Sequence, residues 1–269
     1  MKDGYWVIRT YEAGAVGEKT KYWISGTRPK GKTRRKEKSE IKKQEQNEYS
    51  CIKNLSRLIN ANFRKGDYVL GLDYSPAGMD KLIAWAKEHP LEKSSDDEEA
   101  DRMELLRRAA EHQLQLVLRR VKYALRNTET KVRAVWVTSD MDGDTGEAVR
   151  VHHHLVIPKE CLDAFKQTWK KMGGVNKEPM RGQKDFTPIA EYFLRQVRRI
   201  RNEKKFGSTR NLVRPQPKDR IVASGAEVRV PRGGQLLWRN AFKPGSPQYI
   251  RYILPGHVED DEEPPGICG

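Results

Sequence analysis

Three consecutive histidines lie inside an apolar run, Val151-His152-His153-His154-Leu155-Val156-Ile157, and that run restricts how the chain can fold. Its β-branched and apolar flanks favour a buried strand over a surface loop. Side chains on a strand alternate between two faces, so Val151, His153, Leu155 and Ile157 share one face and pack. His152 and His154 share the other, ~6.6 Å apart along the backbone. Two imidazoles facing nothing in a buried sheet would be costly, whereas two that lean together can share one divalent ion. The competing reading is a surface or interface run of histidines.

The flanking sequence supplies a sheet for this strand. KVRAVWVTS (131–139) and AVRVHHHLVI (148–157) read as neighbouring strands joined by the loop DMDGDTGE, whose Gly and Asp residues suit a turn. Upstream, Ile52, Leu55, Leu58 and Ile59 mark a helix from about Tyr49 to Asn62, and the turn RKGD leads into the strand YVLGLDY. Residues 76–126 read as helical with a break at His89-Pro90 and the acidic run that follows. Met103, Leu106, Ala110, Leu114, Val117, Val121 and Leu125 form its packing stripe. A helix near Leu162–Met172 precedes a loop, and Thr187-Pro188 opens a last helix through TPIAEYFLRQVRRIRNEKK, with threonine as cap and proline in the first turn. Residues 5–25 suggest a hairpin around AGAVGE, and EVRV, GQLLW and QYIRYIL suggest C-terminal strands without an assignable role. The expected class is α+β, a central antiparallel sheet with covering helices. The expected divisions are 1–26 (hairpin), 27–48 (basic flexible segment), 49–213 (main domain), 214–257 (strands) and 258–269 (acidic tail).

Charge points to a partner. Fifty-two Lys and Arg against 37 Asp and Glu leave a formal +15, which suits a polyanion. Nine basic residues between Arg28 and Lys43 form either a phosphate-gripping arm or a linker. Ten more between Arg195 and Arg220 suggest a nucleic-acid track, in which Gln196, Arg199, Lys204, Lys205 and Arg210 would meet the backbone and Phe206 would stack on a base. A solvated basic helix is the alternative. Cys51, Cys161 and Cys268 are too widely spaced for a disulfide framework or a zinc ribbon. The opening residues carry charge where a signal peptide would be apolar, and no run approaches a membrane span, so cytoplasm is the expected location. No GxxxxGK[ST] motif marks a fused helicase.

On His152-His153-His154 and its flanks the chain resembles the HUH endonucleases, named for two histidines separated by one bulky residue on a sheet strand. Histidine in the middle position is a variation. Within that superfamily it looks most like the replication initiators of phages and mobile elements, with YVLGLDYS at the place of the first motif and a tyrosine-bearing helix as the third. The third motif is a tyrosine followed three residues later by lysine, and Tyr192-Phe193-Leu194-Arg195 fits it with arginine substituted. The resemblance covers roughly residues 50–213 and implies an HUH/RRM-like sheet, a variant of the ferredoxin-like arrangement. It implies a site-specific single-stranded DNA endonuclease with nicking and strand-joining activity: Tyr192 as nucleophile, Arg195 assisting, and a 5′-phosphotyrosine link that starts rolling-circle replication. A divalent Mg or Mn ion on His152 and His154 would be the cofactor. An acid on the preceding strand would complete its ligands, with Asp140 first, Glu147 next, Asp73 an outsider, and Asp142 and Asp144 as turn formers. Implied partners are origin DNA and a host helicase and polymerase, with no membrane. A relaxase or single-strand transposase shares this chemistry, although the position of Tyr192 after the histidines favours an initiator. A non-catalytic single-stranded nucleic-acid-binding module on a similar sheet is the reading from another class.

Overall fold

The structure, a computed structural model, describes residues 4–26, 40–91, 97–197, 204–241 and 247–258, with side chains of 40–46 excepted. Most of the basic segment, Arg199 and the acidic tail lie outside the described residues. In chain order the elements are β1 (Gly4–Ala13), β2 (Val16–Ser25), α1 (Glu40–Asn62), β3 (Tyr68–Tyr74), α2 (Pro76–Glu88) and α3 (Glu98–Ala124). They continue with β4 (Val135–Met141), β5 (Ala148–Ile157), α4 (Leu162–Trp169), β6 (Gly173–Pro179) and α5 (Thr187–Arg195). The last four are β7 (Gly207–Ser208), β8 (Lys218–Val222), β9 (Gln235–Arg239) and β10 (Gln248–Ile253). The chain is α+β and divides into two compact units, residues 47–213 and the combined ends 1–46 with 214–269.

The 47–213 unit is built on a sheet of order β6-β3-β5-β4-β7, antiparallel throughout. β3 and β4 point the same way with β5 between them, so β3-helices-β4-β5-α4-β6 is a split β-α-β arrangement. The histidine strand β5 is therefore central, bonded to β3 on one side and β4 on the other. One face packs Leu70 and Leu72 of β3, Trp136 of β4, and Val151, Leu155 and Ile157 of β5 against Ala110, Leu114, Val117 and Val121 of α3 and Phe165 and Trp169 of α4. The other face is split along its length. Its apolar end, Val135, Val137 and Val156, receives Leu55, Ile59 and Phe63 of α1 and its extension, with Ala190 and Phe193 of α5. Its polar end carries Asp73, Ser139, His152 and His154, which register pairing places side by side.

β6 falls where the sequence suggests a loop. GGVNKEP has little apolar content, yet it pairs with all seven residues of β3 as an edge strand, held by backbone bonds that need no side-chain pattern. α5 also ends at Arg195, short of the helix expected through Lys205. Its cap differs too: Phe186 is the capping position, and Asp185 Oδ1 accepts from both the backbone N–H and the hydroxyl of Thr187.

The combined ends form a second antiparallel sheet of order β8-β1-β2-β10-β9, so the hairpin and the C-terminal strands are one sheet and not separate pieces. Gly14 turns β1 into β2 at φ 60, a left-handed conformation that glycine adopts without steric cost. Ile8, Ile250 and Tyr252 pack on Val228, while Lys21 donates to the carbonyls of Ser224 and Ala226.

Leu114 is fully buried between α3 and the sheet. Leu114→Ala is expected to destabilise the 47–213 unit by about 2–5 kcal/mol, and Tyr123→Ala on the exposed side of the same helix by less than about 1 kcal/mol. Urea denaturation of the two variants checks the contrast.

Candidate active site at the histidine strand

Strand parity holds for all three histidines. His153 is fully buried on the α3 face, and His152 and His154 point to the polar end of the opposite face. His152 Nδ1 lies 2.9 Å from the carbonyl of Arg150, which can only accept, so Nδ1 carries the proton and Nε2 presents a lone pair. The two Nε2 atoms approach to 3.0 Å. Two nitrogens bound ~2.1 Å from one ion at a right angle would stand ~3.0 Å apart.

α5 brings the other participants. Ala190 and Phe193 bury its inner side, so Tyr192 lies on its open side, 44% exposed. The Tyr192 ring stands edge-on to His154 with centroids 5.3 Å apart. Gln196 follows one turn later on the same helix face. Its Oε1 lies 2.7 Å from His154 Nε2 and 3.4 Å from His152 Nε2, and the residue is 7% exposed. The helix stops here because the sheet captures its end: the Ser139 hydroxyl donates to the main-chain carbonyl of Gln196, which the helix leaves unpaired. Gly143 in the β4–β5 loop lets that end sit close, since a Cβ there would come within 2.8 Å of Gln196 Cγ.

His152, His154, Tyr192 and Gln196 line one cavity of about 1060 Å³, which Asp73, Arg150, Lys177 and Arg181 also border. Burial, with the neighbouring His152 second, pushes the His154 imidazole down to about 4, partly offset by Gln196 and Asp73. Burial, with both neighbours adding, pushes His153 down to about 3. Both rings are therefore neutral near pH 7, the form that binds metal. Among the described residues no three His, Cys, Asp or Glu side chains cluster as a metal site. The set that converges is two imidazole nitrogens and one amide oxygen, a borderline donor group that fits a divalent ion.

Of the other expected residues that the structure describes, only Asp73 and Asp142 border the cavity. Asp140 is buried and does not line the cavity; on β4 it shares the two-residue parity of Trp136 and Thr138, which face α3, and not that of Ser139, which faces the histidine pair. Glu147 is exposed and does not line it either. Asp73, registered opposite His152, is the carboxylate beside the pair, and its Oδ2 accepts from Asn176 at 2.9 Å. Asp142 is a turn former, its Oδ1 accepting from the N–H groups of Asp144 and Thr145. Arg195 faces away from the cavity, three residues round the helix from Tyr192, and lies 3.9 Å from Asp144 at the exposed loop. Gln196, read from sequence as a DNA contact, instead meets the histidines; the signal was its spacing of four from Tyr192. Lys205 pairs with Glu48 at 3.6 Å, and Phe206 packs partly buried on the α1–α5 core. Lys204 and Arg210 are exposed.

No family model, curated protein or solved structure matches this chain. Among the described residues no helix is long and apolar enough to cross a membrane.

The depressed imidazoles set a pH dependence. In the unfolded chain both histidines take protons near pH ~6.5, whereas in the fold they stay neutral to about 4 and about 3. The unfolded state thus binds more protons on acidification, and stability present above pH ~6.5 is lost as pH falls toward 4. The expected slope is roughly 1.4 kcal/mol per pH unit for each imidazole held neutral, measured by denaturation of metal-free protein between pH 7 and 4.5. A flat profile would contradict the burial of the rings as neutral groups.

Proposed function

We propose that the 47–213 unit is a metal-assisted endonuclease that cleaves single-stranded DNA through Tyr192 and initiates rolling-circle replication, in keeping with the HUH resemblance of its histidine strand. The single observation that carries this reading is the meeting of an exposed phenol with a paired-imidazole and amide donor set in one open, partly basic cavity.

A phosphodiester resists attack because its oxygens are negative. A divalent ion held by His152, His154 and Gln196 would withdraw that charge from the scissile phosphate. Arg150, Lys177 and Arg181 border the same cavity and can hold neighbouring phosphates as the strand enters. Tyr192 Oη attacks phosphorus, the P–O3′ bond breaks, and the 5′ phosphate stays on the tyrosine. The phenol proton passes to solvent in the open cavity, and the departing 3′ oxygen takes one up to become a hydroxyl. Reversal of the same step by a 3′ hydroxyl rejoins the strand. The free 3′ end is the primer that a polymerase extends, and unwinding would come from a separate helicase.

Incubation of the full chain with labelled single-stranded DNA and Mn²⁺ is expected to give a detergent-stable protein–DNA adduct. Tyr192→Phe should abolish the adduct, and His152→Ala or His154→Ala should reduce cleavage by about 10²-fold or more, as should chelation with EDTA. Gln196→Ala should raise the Mn²⁺ concentration required by about 10–100-fold. An undiminished adduct from Tyr192→Phe would remove the tyrosine from the chemistry. Retained binding of single strands by a wild type that never cleaves them would favour a non-catalytic binding module.

A further inference from the structure

The middle histidine is not used by the chemistry above, yet it is the most fully bonded side chain of the motif. His153 is fully buried, with Tyr74 Oη 2.8 Å from Nε2 and Thr138 Oγ1 3.0 Å from Nδ1. Thr138 Oγ1 is also 2.7 Å from Glu111 Oε2, and Trp136 Nε1 donates to Glu111 Oε1 at 3.0 Å. Donor and acceptor inventory fixes the direction of this chain. The carboxylate of Glu111 can only accept, so the Thr138 hydroxyl donates to it and must accept from His153 Nδ1–H. His153 Nε2 is then bare and accepts from the Tyr74 hydroxyl. Trp169 stands edge-on to both rings, with centroids 5.7 Å from His153 and 5.0 Å from Tyr74.

The geometry points to His153 as a positioning residue for the His152/His154 pair, acting through the directed chain Tyr74–His153–Thr138–Glu111. This role rests on the reading of that pair as a metal centre. Tyr74 belongs to β3 and Thr138 to β4, so the two ring nitrogens tie β5 to both neighbouring strands, and Glu111 ties the set to α3. The clamp sits on the strand between the two ligands and on the opposite face. It prevents β5 from rolling about its own axis, and roll is the motion that swings His152 and His154 together. A roll of ~10° moves a ring nitrogen ~6 Å from the strand axis by ~1 Å, beyond the ~0.5 Å that a preorganised site tolerates. An apolar residue at 153 would fill the space without holding either neighbour by direction.

Two measurements on the full-length protein test this role. In the metal-free state, ¹⁵N spectra of the imidazoles should show His153 as the Nδ1–H tautomer; the Nε2–H tautomer would overturn the directed chain. Mn²⁺ titration followed by electron paramagnetic resonance should show Thr138→Val and Tyr74→Phe binding about 10–100-fold more weakly than wild type, with Thr138→Ser restoring the affinity. Leu114→Ala, destabilised elsewhere in the same core, should bind Mn²⁺ as wild type does, which separates positioning from loss of stability. Wild-type affinity in Thr138→Val overturns the positioning role alone. A wild type that binds no Mn²⁺ overturns the reading of the pair as a metal centre, and the positioning role with it.

Discussion

The two-residue repeat of β5 is the constraint from which the site follows. It sends three chemically identical side chains into two environments, one a closed polar knot inside the α3 face and the other an open cavity under α5. An imidazole is tolerated in the first only because both its nitrogens are paired; an unpaired buried nitrogen would cost about 1–3 kcal/mol. In the second, His152 Nε2 presents a lone pair while His154 Nε2 donates to Gln196 Oε1, a bond that an ion could replace by taking the place of the proton. The same residue type is thus enclosed at one parity and open to the cavity at the other.

The division of the second face along its length does comparable work. Val135, Val137 and Val156 give α1 and α5 an apolar seat, and directly beside that seat the sheet turns polar at Ser139, His152 and His154. α5 spans the border. Phe193 anchors it on the apolar side, Ser139 captures its last carbonyl on the polar side, and Tyr192 and Gln196 are carried to the histidines as a result. Packing energy and site geometry therefore come from one contact, and a change at Phe193 would move the phenol as well as destabilise the core.

Much of this was legible in the sequence wherever side-chain pattern determines structure. The parity of residues 151–157, the stripe from Leu106 to Val121 and the tyrosine helix could be read because burial imposes a period on apolar residues. β6 was not legible, because an edge strand of Gly, Asn, Lys and Glu is held by backbone bonds to β3. The pairing of the hairpin with β8 and β10 was hidden for a different reason: partners about 200 residues apart leave no local trace. Asp140 misled because it was chosen for its place at the end of β4, whereas the parity of Trp136 and Thr138 assigns it to the face opposite the histidine pair; Asp73 came into place through register with β5. The end of α5 depends on Ser139, a residue 57 positions away, so no capping pattern near Gln196 announced it.

The exchange of an expected carboxylate for Gln196 has an electrostatic consequence. Two neutral imidazoles and an amide oxygen would leave a divalent ion with its full charge of +2, whereas an aspartate ligand would reduce the local charge to +1. At ~4 Å and an effective dielectric of ~20, one unit of charge acting on a phosphate oxygen is worth about 4 kcal/mol. Under the proposed function, a neutral ligand set would therefore favour attraction of a substrate phosphate over tight retention of the ion. Asp73, exposed beside His152 with one oxygen already held by Asn176, adjusts that balance from outside the donor set. In such a site the ion would be held weakly until the phosphate arrives and adds its own oxygens, so metal and DNA would bind with mutual reinforcement.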